Sequence, residues 1–78
     1  MDEIEDAVYA RRLCDQGKAR ALRDAAGLSR ADLARKVGCS ESAVWAWEAR
    51  DRAPRGRAAS AYGALLRQLA QAVEQVSS

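Results

Sequence analysis

The chain has 78 residues, a formal net charge of +2, 13 Lys and Arg against 11 Asp and Glu, two Cys, one Pro, and neither His nor Phe. That length allows one domain with a modest core, which a second subunit would help to cover. The absence of His, and Cys14 and Cys39 at no metal-ligand spacing, exclude metal chemistry and His-based catalysis, and no cofactor is expected.

The first predicted element is a helix over about 3–14. Ile4, Ala7, Val8 and Leu13 are expected on its inner face, and Asp2, Glu3, Glu5 and Asp6 suit the positive end of its dipole. A second helix covers about 16–26, with Ala21, Leu22, Ala25 and Ala26 apolar. Gly17 lies between them, and the sequence allows either a break or one long helix there. Gly27 reads as a C-terminal cap.

The stretch "LSRADLARKVG", residues 28–38, is a short helix with both ends marked. Ser29 is its N-cap, Asp32 completes a capping box, and Gly38 stops it. Leu33, Ala34 and Val37 form its apolar face. Ser40 then caps a helix over about 41–49. Residues 50–57 are a basic loop with four arginines and one acid. The last helix, about 57–77, carries an apolar stripe of Tyr62, Leu65, Leu66, Leu69, Val73 and Val76. The fold class is therefore all-α, a compact domain of four or five helices in one unit, with an extra N-terminal helix and a long C-terminal one.

Only Gly38, Cys39 and Ser40 separate the third and fourth helices, a spacing that fits a helix–turn–helix over 29–49 as well as an ordinary helical hairpin. Charge is uneven along the chain. Residues 1–15 hold five acids and two bases, while residues 16–57 hold ten bases and five acids. That polarity suits an anionic partner for the middle of the chain. No apolar run is long enough for a membrane span, and the acidic N-terminus has the wrong sign for a leader. Two lone cysteines fit a reducing cytosol.

The residues "LRDAAGLSRADLARKVGCSESAVWAWEARDRAP", 22–54, resemble the lambda-repressor-like, Cro-type (XRE) helix–turn–helix family. The resemblance rests on Leu22, Arg23, Gly27, Leu28, Ser29, Leu33, Ala34, Val37, Gly38, Ser40, Val44, Trp47, Glu48 and Pro54. The chain departs from the family pattern at Arg30, where Gln is common, at Cys39, commonly Val, and at Arg50, commonly Gly or Asn. One long helical pattern also stands where the family has two shorter helices. The resemblance implies sequence-specific binding of double-stranded DNA by a dimer, with one recognition helix per major groove. It suits a phage or mobile-element repressor acting by operator occupancy, with RNA polymerase as a further contact. Two alternatives stay open: an antitoxin autorepressor that binds a toxin through the acidic first helix, and a protein-interaction adaptor that no longer binds DNA. No nucleophile–base constellation or Gly-rich phosphate loop suggests an enzyme.

The faces of the recognition helix follow from 100° per residue. Val44 and Trp47 share the face that packs on Leu33, Ala34 and Val37. Trp45 lies about 160° from Trp47 and must turn outward. Glu41, Ser42, Trp45 and Ala46 are the expected base readers: Glu41 accepting from cytosine, Ser42 bonding several bases, Ala46 and Trp45 touching thymine methyls. Trp45 has a second reading as a contact to the first helix or a partner subunit. Ser29, through its N–H, and Arg30 are expected at a phosphate, as are Arg50, Arg52, Arg55 and Arg57. Each of these arginines, and Glu41 as a first-turn acid, also reads as ordinary surface charge. Glu48 is expected to pair with Arg23. Val73 and Val76, with Ile4 and Val8, are expected at a dimer interface.

Overall fold

The computed structural model describes residues 3–77, with side chains over 3–74. The expectations for Asp2 and for the Val76 side chain lie outside the described residues. The elements are α1 (Glu3–Asp15), α2 (Lys18–Ala25), α3 (Arg30–Val37), α4 (Glu41–Glu48) and α5 (Gly56–Ser77), with no strand among the described residues. Residues 3–26 form two helices. Gly17 adopts φ 73°, in the left-handed region that an L side chain enters at a cost, and its N–H closes the end of α1 on the Cys14 carbonyl at 3.1 Å.

The helix–turn–helix ends are closed by short-range bonds. Ser29 Oγ accepts from the Asp32 N–H at 3.0 Å, and the Ser29 N–H donates to Asp32 Oδ2 at 3.2 Å, a reciprocal capping box. Ser40 Oγ accepts from the Ala43 N–H at 3.1 Å and starts α4. Arg50, at φ 61°, is the one non-glycine residue with positive φ among those described. It takes the left-handed position of a Schellman stop: its N–H donates to the Trp47 carbonyl at 3.2 Å, and that of Asp51 to the Ala46 carbonyl at 2.9 Å. This is where the family pattern commonly has Gly or Asn.

Tyr62, Leu33, Leu66 and Val44 are fully buried, and Ala10, Leu13, Cys14, Ala19, Ala34 and Trp47 complete the core around them. The Trp47 and Tyr62 rings stack with centroids 4.9 Å apart and 29° between planes. The Tyr62 hydroxyl is buried against the Cys14 thiol without a well-formed hydrogen bond. Burial pushes the Cys14 thiol up to about 11 and the Tyr62 phenol further up still.

The inner face of α1 differs from the expected one. Its buried residues are Asp6, Ala10, Leu13 and Cys14, whereas Ile4 is 72% and Val8 42% exposed. Close approach to α5 decides this. A Cβ on Gly63 would lie 1.8 Å from the Asp6 carbonyl oxygen, so the two backbones touch. Only glycine fits at position 63, and it lets the turn of α1 around Asp6 lie directly on α5, which turns Ile4 and Val8 outward. Asp6 is tolerated in this contact because Arg67 Nε donates to its Oδ1 at 2.8 Å. The Arg67 guanidinium also lies over the Tyr9 ring, 4.3 Å from its centroid. On α2 the inward residues are Ala19 and Arg23, with Leu22 half-buried and Ala21 and Ala25 exposed.

Candidate nucleic-acid interface

α4 is covered on most of its circumference. At 100° per residue, Glu41, Trp45, Ala49 and Ser42 fall within about 100° of arc, and all four are exposed. Val44, Trp47 and Ala46 are buried, and the Glu48 side chain is only 3% exposed. Trp45 is 54% exposed, so this domain leaves one of its two indoles in water on the arc that also holds Glu41 and Ser42.

Ala46 does not belong to that arc. It is 3% exposed, just past the edge where the domain closes over the helix, and cannot touch a base from there. Ala49, the C-cap one turn beyond Trp45, is exposed on the arc instead. The repeat of four from Glu41 through Trp45 to Ala49 is the signal that would have found it.

A buried ion cluster joins α2, α3 and α4. Arg23 Nε and Nη2 donate to the two carboxylate oxygens of Glu48, the latter at 3.0 Å, and Arg23 Nη1 donates to the Leu28 carbonyl at 2.9 Å. Glu48 in turn holds the Arg23 guanidinium further above its ordinary value. Arg30 Nε donates to the same Glu48 carboxylate at 3.1 Å, with the Arg30 side chain about one-third exposed. One carboxylate thus orients two guanidiniums, and Asp24, 3.3 Å from Arg23 Nη1, supplies a second negative charge at the edge of the cluster.

The expected phosphate donors fare unequally. The Ser29 N–H is committed to Asp32 within the capping box, so it is withdrawn from that role. The same Asp32 pairs with Arg35, and the capping bonds from Ser29 hold its carboxyl below the usual carboxylate range. Arg30 keeps its terminal nitrogens for an outside partner. Arg50 Nη1 donates to the Asp15 carbonyl at 3.0 Å. Arg52, Arg55 and Arg57 are exposed and pair with no carboxylate among the described residues. Arg11, which sequence reasoning passed over, reaches the same loop: its Nε donates to the Pro54 carbonyl at 3.0 Å. Its signal in the sequence is the basic pair Arg11-Arg12 on an otherwise acidic helix.

Val73 is half-buried, and with Leu65, Leu69, Ala25, Ala26 and Leu28 it lines an apolar groove between α2 and α5. Among the described residues no acidic, Cys or His group is placed to hold a metal ion, and no helix is long and apolar enough to cross a membrane. A family model described as a helix-turn-helix domain matches residues 17–75, which leaves α1 outside the matched stretch. No curated protein and no solved structure matches the chain.

Proposed function

The chain belongs to the helix-turn-helix domain family, and from that membership we propose that it is a sequence-specific double-stranded DNA-binding transcriptional regulator. In this reading α4 enters the major groove, Glu41, Ser42 and Trp45 meet base edges, and Arg30, Arg50, Arg52, Arg55 and Arg57 meet flanking phosphates. The observation that carries the reading is the exposure of Trp45 between Glu41 and Ala49 on the second helix of the motif. An indole left in water has a use there: its apolar ring matches thymine methyls. A repressor of phage or mobile-element type, acting by occupying its operator as a dimer, fits this architecture. Val73 and Val76 are the proposed contact between subunits.

The experiment is selection from a randomised duplex library across a salt series. An enriched sequence in two copies about one helical turn apart is the expected result. Uniform, shallow salt-dependent recovery with no preferred sequence would overturn the reading in favour of a protein-interaction adaptor.

The outer face of α1 favours a second reading, an antitoxin that represses its own operon. Val8 is 42% exposed on a helix whose first turn carries Glu3, Glu5 and Asp6. A toxin docked there would be released by Val8→Asp with DNA affinity unchanged.

A further inference from the structure

The arginines divide into two groups. Arg20, Arg23, Arg30, Arg35 and Arg67 each lie within ion-pair distance of a carboxylate. Arg11, Arg12, Arg50, Arg52, Arg55 and Arg57 pair with none among the described residues, and all six are exposed. Almost forty positions separate Arg11 from Arg50 in the sequence, and the fold brings Arg11, Arg50 and Arg52 to one junction.

Two bonds stitch that junction from opposite sides. Arg11 on α1 donates to the Pro54 carbonyl of the loop, and Arg50 of the loop donates to the Asp15 carbonyl at the end of α1, each at 3.0 Å. A carbonyl is an uncharged acceptor, so both guanidiniums are held in place and neither is neutralised. Between them lies a cavity of about 130 Å³, lined by Arg11, Arg50 and Arg52 over Cys14, Trp47 and Pro54. Asp15 and Asp51 also reach it, and neither forms an ion pair among the described residues. Three guanidiniums against two carboxylates leave the cavity positive, with Arg55 adding charge in the adjoining hollow beside Arg52. Arg50 directly follows the C-cap of α4, so the cavity stands at the C-terminal end of the helix whose outward arc carries Glu41, Ser42 and Trp45. Cationic side chains beside a helix seated in the groove contact phosphates and fix its register.

We propose that Arg11, Arg50 and Arg52 form a phosphate site at the junction of α1 with the loop after α4, which makes α1 part of the DNA interface. The site rests on the DNA-binding reading above and extends it to a helix outside the family match. Preformed side-chain positions reduce the ordering needed when the phosphate arrives.

The test follows affinity for mixed-sequence duplex DNA against salt concentration. Each phosphate contact contributes about −0.9 to the slope of log affinity on log salt. Arg11→Ala and Arg52→Ala should each make the slope shallower by about one unit, weakening all sequences alike. Arg11→Lys, which loses the Pro54 bond and keeps the charge, should retain the slope, and so should Arg20→Ala, whose charge is paired on α2. Arg52→Ala removes an exposed side chain with no hydrogen bond among the described residues, so its effect does not pass through folding. Wild-type slopes for both Arg11→Ala and Arg52→Ala, with duplex binding intact, would overturn the phosphate site and leave the regulator standing. An unaltered chain that binds no duplex at any salt concentration would overturn both.

Discussion

Trp45 and Trp47 are two residues apart on α4 and opposite in environment: Trp45 is 54% exposed and Trp47 is 6% exposed. The helical repeat places them about 160° apart, so burying one turns the other out. Trp47 spends its indole on Tyr62, and Trp45 presents its own to whatever meets α4.

Replacement of Trp47 therefore acts on folding. Trp47→Ala removes a buried ring and its stack on Tyr62, and should destabilise the domain by about 3–5 kcal/mol, measured by urea unfolding. A domain of this size has little stability to spare, so the variant should be largely unfolded near body temperature.

The Glu48 carboxylate serves Arg23 and Arg30 together. Glu48→Gln leaves a 7% exposed Arg23 side chain with only Asp24 as counter-charge and should cost about 1–3 kcal/mol in the same measurement. Arg30→Gln leaves the Arg23 pair intact and should cost much less. Equal losses for the two variants would contradict the cluster as described.

Gly63 sets the distance between α1 and α5. A methyl group there meets the Asp6 backbone, a clash that side-chain rotation cannot relieve. Gly63→Ala should loosen α1, at a cost of about 1–3 kcal/mol. Hydrogen exchange should quicken first in α1 and much less in α3 and α4.

Stability should also fall at alkaline pH. Burial pushes the Cys14 thiol up from 9.0 to about 11 in the folded chain and raises the Tyr62 phenol in the same direction. A group raised on folding stabilises below its unfolded value and loses that contribution as pH climbs towards its folded one. Urea midpoints in reducing buffer should therefore decline as pH passes about 9 and approaches about 11. Cys14→Ala should remove part of that decline.

The capping residues, the three-residue turn and the stripe of α5 were legible in the sequence because each depends on neighbours in the chain. Ser29 with Asp32, Ser40 with Ala43, and the apolar spacing from Tyr62 to Leu69 are local patterns. The inner face of α1 was not legible, because Gly63, far along the chain, decides which α1 residues approach α5. Ile4 and Val8 suggested the wrong face for that reason. On α4 the outward placement of Trp45 followed from helical geometry, while the burial of Ala46 depended on how far the domain closes around the helix. Arg11 escaped notice because its relation to Arg50 and Arg52 exists only once α1 has docked.

The central claim is that the outward arc of α4 reads DNA. Its most direct test compares Trp45→Ala with the unaltered chain on the library-selected duplex and on mixed-sequence duplex, with the melting temperature of each protein recorded alongside. The expected result is loss of affinity for the selected duplex by about tenfold, equivalent to about 1.4 kcal/mol, with mixed-sequence binding and melting temperature nearly unchanged. Undiminished preference for the selected duplex, or a melting temperature that falls in step with affinity, would contradict it.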